Sequence, residues 1–531
     1  MKLPTLSVRT LQAVFEENEP EDVKKDLFFD LNGQPISYAI FYNRVQLVSE
    51  RLRKQGVQKG DLVAILSENL ANWAIAYFSI ALVGAAALPI DLRWDEEIIR
   101  DILEKHRVKL AFVSQNAIAR LAELKIEHPR FLLLMENFSL QTRDERSGGF
   151  QEIIGRELEK IKKSVKDFIG RNEEEIVPEE IDEDTICSVL QMPGAEDQEE
   201  VRLSHRNLLS VTMAAARALN LPETTRLMVL LPLSLPLPTI LGILMPLFAG
   251  TQAIFLPEAE NEEQLKEWLQ TFRPTHILTD TAFVRRLYQS VVLKTGPQSW
   301  FEKTVRFVKG LLKKEKRTDA PIDISFFKKF YWLICTSEEP VGPGVQRFLL
   351  THSIQHRLLL GTPHTTSLFV TGKASRELLW LRGNLLPGLQ MRVVAAHPEA
   401  AFGELWLKGD LIARSVVENQ KLWEGFWATG FVALPAEEEL KILGRASDRM
   451  SAEEDDLVFG ALICAALKES KWVQDARVFQ NNGAFEAEVT LTKQAENARR
   501  RVQKSLLKQV NAILPPNAQL TNVWLKTENQ A

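Results

Sequence analysis

The sequence predicts an α/β protein of more than one domain. Three observations predict it. The chain has 531 residues at 45% hydrophobic content, enough to bury more than one core. Residues 25–135 alternate short apolar runs with segments of helical period, the pattern of a parallel sheet covered on both faces. From Arg449 onward, helical and alternating segments of smaller scale follow, and a basic amphipathic helix closes them.

The elements follow in order. Phe28–Leu31 and Gln34–Ile36 read as a hairpin around Asn32-Gly33. Ser37 caps a helix whose apolar face carries Phe41, Val45, Val48 and Leu52, and Gly56 ends it. Strands are predicted at Leu62–Leu66, Ala85–Ile90 and Val108–Val113, with helices at Asn69–Val83 and Asp95–Lys105 between them. Residues 137–183 are rich in Glu, Lys and Arg and read as a charged linker with a solvated helix near 152–169. After a strand at Ile186–Leu190 comes a loop, then a helix from about Arg206.

Leu227–Ala249 carries no charge over a length that spans a bilayer, but Pro232, Pro236, Pro238 and Pro246 would remove several helical hydrogen bonds. It reads as a strand to Leu231, a Pro-rich turn and a buried helix from about Thr239, in preference to a membrane span. Strands at Ala253–Leu256 and Thr275–Thr279 flank a helix at Asn261–Phe272. Within residues 287–328 the spacing of Trp300, Phe301, Val305, Val308, Leu311 and Leu312 predicts a helix with these side chains on one face. Lysines and arginines over 300–317 supply the other. Such a helix either lies on an anionic membrane surface or packs on its own domain with its lysines in water. In the C-terminal part, Leu457–Leu467 and Ala495–Ile513 read as helices, and Val473–Val478 and Ala487–Leu491 as strands.

The net charge of −5 gives no general case for nucleic acid. Cys187, Cys335 and Cys464 sit in apolar runs without paired spacing, which points to reduced thiols and a cytoplasmic-type compartment; no metal site is read from them. The N-terminus lacks the apolar core of a secretory signal.

The stretch Leu190–His205, LQMPGAEDQEEVRLSH, lies between a strand and a helix, where α/β enzymes hold phosphates on backbone N–H groups. It carries one glycine, Gly194, and the carboxylates Glu196, Asp197, Glu199 and Glu200. Here the chain resembles the adenylate-forming enzymes, and among them the long-chain fatty acid–CoA and acyl-carrier-protein ligases. Their phosphate loop reads Tyr-Thr-Ser-Gly-Thr-Thr-Gly-x-Pro-Lys-Gly-Val-x-x-Ser-His. Val201, Ser204 and His205 match it; Glu199 stands at the lysine. Ser37-Tyr38, Gly56-Val57-x-Lys59-Gly60-Asp61, Asn69-x-x-x-Trp73 and Gly84-Ala85 match the opening domain of that family. In Leu231-Pro232-Leu233 and the residues after it, Leu235 stands at a histidine that shapes the acyl and adenylate pocket.

The resemblance implies further site positions. Leu359–Thr366 is similar to the family's Gly-Tyr-Gly-x-Thr-Glu-Thr segment. Gly361 and Thr365 match it, Leu360 replaces the tyrosine near adenine, Pro363 the phosphate-touching threonine, and His364 the Mg²⁺ glutamate. Neutral imidazole is a poor Mg²⁺ ligand. His364 reads as a base, a soft-metal ligand or a hydrogen-bonded pocket residue. Near Phe330–Thr336, Ser337 and Glu338 add side chains where the family has glycine beside adenine. Thr429-Gly430 resembles the ribose-binding turn, with Phe431 at its aspartate. Gly444-Arg445-x-x-Asp448 keeps a nucleotide-contacting arginine and the aspartate at the hinge to the C-terminal lid. The resemblance thus implies a large N-terminal multi-layer α/β domain over residues 1–447, with a helical insertion at about 287–328 similar to that of long-chain ligases, and a small α+β lid domain over 448–531. The lid's Gly-Lys segment has no counterpart, since Lys526 sits too early.

The family-equivalent positions Gly194, Ser204, His205, Gly361, Thr365, Thr429 and Arg445 outline the nucleotide region that the resemblance implies. Glu199, His364 and Phe431 replace its catalytic groups, so no catalytic residue is assigned. Each carboxylate 4 Å from a triphosphate oxygen adds repulsion of about 1 kcal/mol in water and about 4 kcal/mol at an effective dielectric of 20. Two readings follow. One is a synthetase-like pseudoenzyme without cofactor that binds lipid, scaffolds or regulates, with a long-chain acyl group or acyl-CoA as ligand and peripheral membrane contact through the basic helix. The other is an active long-chain ligase using ATP and Mg²⁺ at an altered nucleotide site.

Overall fold

The computed structural model describes residues 7–17, 22–31, 35–123, 129, 131–143, 150–152, 180–192, 200–257, 262–295, 327–375, 377, 379–395, 402–413, 415–416, 422–434, 439–450, 457–492, 495, 499–512, 514 and 516–526. The acidic stretch 193–199, most of the charged linker and the basic segment 300–317 lie outside the described residues.

Short runs of apolar residues, buried on both faces, dictate the central strands. In Leu62–Leu66, Val63 and Ile65 point into one core while Ala64 and Leu66 point into another. This strand pairs in parallel with Ala86–Pro89 and Leu110–Val113, the centre of an eight-stranded sheet among the described residues. Helix Tyr38–Lys54 covers one face, capped by Ser37, whose hydroxyl accepts from Ile40 N–H at 3.3 Å. Its Phe41, Val45, Val48 and Leu52 are all buried, as their spacing predicts. Helix Glu96–Lys105 covers the opposite face through Ile99, Ile102 and Leu103.

Two parts of this sheet differ from the sequence reading. The charged region after residue 137 contributes strands Leu140–Arg143 and Phe150–Glu152, which extend one edge as an antiparallel pair. At the other edge, Glu200–Ser204 is a strand, paired antiparallel with Ile186–Gln191. The stretch before His205 is therefore the return arm of a hairpin, and its alternation of Val201 and Leu203 with Arg202 is the signal for it.

The thirteen-stranded sheet, again counted among the described residues, begins with the pair Asp26–Phe29 and Ile36–Ser37. It continues in parallel through Gln252–Phe255, Arg226–Val229, His276–Asp280, Tyr331–Cys335 and His356–Leu360. Antiparallel strands Val370–Lys373, Leu381–Leu385, Leu440–Arg445, Trp427–Leu434, Gly403–Lys408 and Gln390–Val394 complete it. The uncharged segment is buried inside this body. Strand Arg226–Val229 leads to a helical stretch from Pro236 that widens to π geometry over Thr239–Leu244 before Met245–Ala249. Pro246 has no N–H to donate one turn back, and the wide turn accommodates it. Gly242 lets this helix approach the sheet, since a Cβ there would sit 3.0 Å from Phe255 and 3.1 Å from Val229. Among the described residues no helix is long and apolar enough to cross a membrane.

The small C-terminal domain has its own sheet, Val473–Asn481, Ala484–Leu491 and Leu520–Lys526, the last a strand that the sequence reading did not include. Phe485, Ala487, Val489 and Leu491 face helices Gly460–Lys468 and Arg499–Asn511 in a separate core, while Glu486 and Glu488 face outward. Lys526 lies 3.9 Å from Glu488 in this strand.

One buried side chain ties the two large sheets together. Asn69 donates to the carbonyls of Leu231 at 2.9 Å and Leu256 at 3.0 Å, and accepts from Leu233 N–H at 2.9 Å. Replacing it with alanine orphans three buried backbone groups. We expect Asn69→Ala to cost about 2–4 kcal/mol, read as a lower thermal midpoint, while a change at exposed Leu47 leaves the midpoint in place.

Candidate functional site

The site is assembled at the start of helix His205–Leu219. Ser204 is its N-cap: the hydroxyl accepts from Asn207 N–H at 3.3 Å, and Asn207 Oδ1 accepts from Ser204 N–H at 3.0 Å. Asn207 Nδ2 then donates to the carbonyls of Asp410 and Ile412, both at 2.8 Å. His205 is fully buried, and its Nδ1 accepts from Leu11 N–H at 3.1 Å. That contact places the ring proton on Nε2, which has no partner among the described residues. Burial drives the imidazole down to about 4, so it is neutral at physiological pH. Around this end, Arg9 bridges Glu183, Asp410 and Ser210, and Arg206 pairs with Glu183 and Asp184.

The segment 409–416 carries the construction to the second motif. Ala413 N–H donates to the His364 carbonyl at 2.8 Å, and the Thr366 hydroxyl to the Leu411 carbonyl at 2.8 Å. Thr362–Thr365 is a tight turn closed on itself: Thr365 Oγ1 accepts from Thr362 N–H at 2.9 Å and donates to the Thr362 carbonyl at 3.1 Å. Gly361 is required here, because a Cβ would fall 2.1 Å from the Ser367 backbone. The His364 ring lies over Trp427, with centroids 5.2 Å apart.

A third group closes the site. The Ser337 hydroxyl accepts from Gly361 N–H at 3.4 Å and from the Cys335 thiol, while Glu338 turns to solvent. Trp380 Nε1 donates to the Thr336 carbonyl at 2.9 Å, and the Arg445 guanidinium donates to the next carbonyl, that of Ser337. Arg445 lies over the rings of Trp380 at 5.4 Å and Phe431 at 5.8 Å. Phe431, 1% exposed, meets Trp380 edge-on at 5.4 Å and Phe369 at 6.0 Å. The Thr429-Gly430-Phe431 segment, read from sequence as a turn, is a bulge within strand Trp427–Leu434. Gly430 supplies its positive φ of 74°, and the Thr429 hydroxyl donates to the Leu405 carbonyl at 2.8 Å.

The structure thus links the capped turn at Ser204 to the His364 carbonyl and the Thr366 hydroxyl through one segment, and sets Gly361, Phe431 and Arg445 around Ser337 and Trp380. His205 and Thr429 bond elsewhere, to Leu11 and Leu405, and Thr365 within its own turn. Gly194 and Glu199 lie outside the described residues. Glu200, read as part of the acidic loop, opens the return strand; it pairs with Arg202 at 2.6 Å and lies 3.6 Å from His106. Asn207, Phe369 and Trp380 were not singled out by sequence. Asn207 was legible as the third residue after a capping serine; the two aromatics lie in apolar runs that mark core and nothing more.

The sequence pattern of the AMP-binding enzyme family matches residues 15–190 and 200–416, well over half of the chain. The chain belongs to the AMP-binding enzyme family. Tyrocidine synthase 3 of Brevibacillus parabrevis is 29% identical over 113 residues, 21% of this chain and 2% of that protein. A long-chain-fatty-acid–CoA ligase of Gallus gallus is 25% identical over 359 residues, 66% of this chain and 44% of that protein. The chain therefore spans less than half the length of either relative. In fold, it matches the anthranilate CoA ligase AuaEII in complex with anthranoyl-AMP, with a TM-score of 0.71 at 15% identity, over 99% of this chain and 95% of that one. Fold and family are those expected from the motifs, a large α/β domain and a small C-terminal one in an acyl-CoA-ligase-like protein. Among the described residues no group of three His, Cys, Asp or Glu side chains converges to hold an ion.

The neutral, buried His205 has a consequence for stability. Its folded value near 4 lies below the ordinary 6.5, so the unfolded chain binds the extra proton. Stability is intact above pH 6.5, falls as pH drops toward 4 and changes no further from this group below that. His106, His276 and His356 are depressed by burial as well and add to the slope. His205→Gln keeps an acceptor for Leu11 N–H and should remove about one proton from the dependence of unfolding on pH between 4 and 6.5, measured by denaturant titration.

Proposed function

We propose that this chain is an acyl-CoA-synthetase-like pseudoenzyme: it has lost ATP-dependent adenylation and acts as a lipid-binding, scaffolding or regulatory protein. One observation carries the reading. The position at which the family places a carboxylate for the ribose hydroxyls holds Phe431, sealed against Phe369, Trp380 and the Arg445 guanidinium. An apolar ring accepts no hydrogen bond from a ribose, and a ribose set there would lose its water without replacement.

The other residues present fit ATP and Mg²⁺ no better. The Thr365 hydroxyl is spent inside its own turn, and Pro363 beside it has none. His364 offers imidazole where a hard cation needs a carboxylate oxygen. By sequence the stretch 193–199 is acidic, with Glu199 in place of the phosphate-binding lysine, so its charge repels a triphosphate. Phosphoryl transfer relies on electrostatic stabilisation above other terms, and no step of it is derived through these groups.

The ligand proposed in place of nucleotide is a long-chain acyl group or acyl-CoA. Support comes from the long-chain ligase named among the relatives and from the apolar helix Pro236–Ala249, with Leu235 replacing a polar residue at its start. Peripheral membrane contact through the basic segment 300–317 and a cytoplasmic location belong to the same reading.

Calorimetric titration of the full chain with ATP·Mg²⁺, and separately with a long-chain acyl-adenylate analogue, tests it. We expect no heat from ATP·Mg²⁺ at micromolar to millimolar concentration. Micromolar binding of both compounds, followed by pyrophosphate exchange, would instead establish the active ligase. A variant sharpens the test. Phe431→Ala should cost about 3–5 kcal/mol of stability, as removal of a buried aromatic does, without creating measurable ATP affinity.

A further inference from the structure

Among the contacts that the small C-terminal domain makes with the large one, two differ in character. The first is apolar: the Phe459 ring lies on Gly444, where a Cβ would sit 2.2 Å from it, and packs with Val432 and Leu462. The second is a buried carboxylate. Glu469 follows helix Gly460–Lys468 and reaches into the N-terminus of helix Pro343–Thr351 in the large domain. It accepts from Gly344 N–H at 3.1 Å and Val345 N–H at 2.8 Å, two donors that a helix start leaves free. The seat is shaped for it: a Cβ on Gly342 would lie 2.3 Å from the carboxylate and one on Gly344 2.5 Å.

We propose that Glu469 is a latch: its carboxyl, seated between Gly342 and Gly344 on the amides of Gly344 and Val345, holds the C-terminal domain in one docked pose, and its ionisation releases that pose.

The surroundings set the sign. Burial pushes the Glu469 carboxyl up to about 7, against the pull of the two amides and of Arg285 and Arg347. Tyr288 borders the seat and is itself pushed up by burial and by the neighbouring carboxylate. Glu339 is held by Arg285 and lies 3.9 Å from Lys468, which pairs with Asp475 at 2.8 Å; Gln289 donates to the Lys468 carbonyl at 2.9 Å. A free glutamate titrates near 4.5, so the docked carboxyl holds its proton more tightly and docking takes a proton up. Docking is therefore tightest on the acid side. It weakens as pH rises from about 5 through 7 and levels off above. Between pH 6 and 8 the docking constant falls about tenfold. The apolar Phe459 contact does not titrate and keeps the domains joined while the latch opens.

Hydrogen exchange of the full chain reads this directly, because Gly344 and Val345 lose their acceptor on release. Protection of a peptide covering 341–350 is corrected for the intrinsic exchange rate at each pH. The native chain should lose about tenfold protection between pH 6 and 8, and Glu469→Gln should show no such pH dependence. Glu469→Lys, which sets a cation against the helix start and Arg285, should be unprotected at both. Should that variant misfold by circular dichroism, Gly344→Ala fills the seat from the other side with a good helix former and is expected to lower protection at pH 6. A Glu469→Gln chain that still titrates like the native one would overturn the latch, and so would native-level protection in either seat-blocking variant.

Discussion

Buried polar groups must find partners, and at the start of helix His205–Leu219 this requirement organises the centre of the molecule. Ser204 and Asn207 satisfy each other, leaving the Asn207 amide nitrogen to bind the carbonyls of Asp410 and Ile412. The segment so fixed then anchors the His364 carbonyl and the Thr366 hydroxyl. His205 holds the N-terminal helix by accepting from Leu11. Four stretches distant in sequence are set by one capped turn, each link being a donor or acceptor that burial forbids to leave unpaired. Residues that a motif comparison assigns to a phosphate site thus have structural work that needs no ligand.

Most of the fold was legible because it depends on patterns that a single sequence displays. A short apolar run after the turn at Lys59-Gly60-Asp61 marked Leu62–Leu66, and the spacing of Phe41, Val45, Val48 and Leu52 behind a capping serine marked helix Tyr38–Lys54. Strand Glu200–Ser204 was hidden for a physical reason. It is an edge strand, so Arg202 faces outward and only two of its positions needed to be apolar. Phe150–Glu152 escaped in the same way, as a short edge strand, and Leu140–Arg143 beside it is equally short and lies in charged sequence. In Leu227–Ala249 the prolines told against a membrane span, but the π turn depends on how Pro246 and Gly242 meet the sheet, a tertiary matter.

The candidate site was legible in its positions and not in its contacts. Gly361 and Arg445 both bond to Ser337, through its hydroxyl and its carbonyl, while Thr429 bonds to the Leu405 carbonyl. Ser337 follows strand Tyr331–Cys335, whose adjacency to the segments that carry Gly361 and Arg445 no local pattern reveals. The same limit hid Glu469. In sequence it is one more acidic residue after a helix; only docking against Gly342 and Gly344 makes it a buried acid.

Arg445 shows how a charged group is held beside buried rings. A guanidinium beside a buried apolar cluster is costly if left bare. Here the charge is met by the Ser337 carbonyl and by the rings of Trp380 and Phe431. Planar, weakly hydrated guanidinium tolerates this setting where a lysine ammonium would not. On the proposed reading, restoring an aspartate at position 431 would not by itself rebuild a ribose site, because Trp380 and Ser337 already engage the arginine and the turn at Thr362–Thr365 is closed on itself. Recovery of nucleotide binding would require several of these contacts to be released at once.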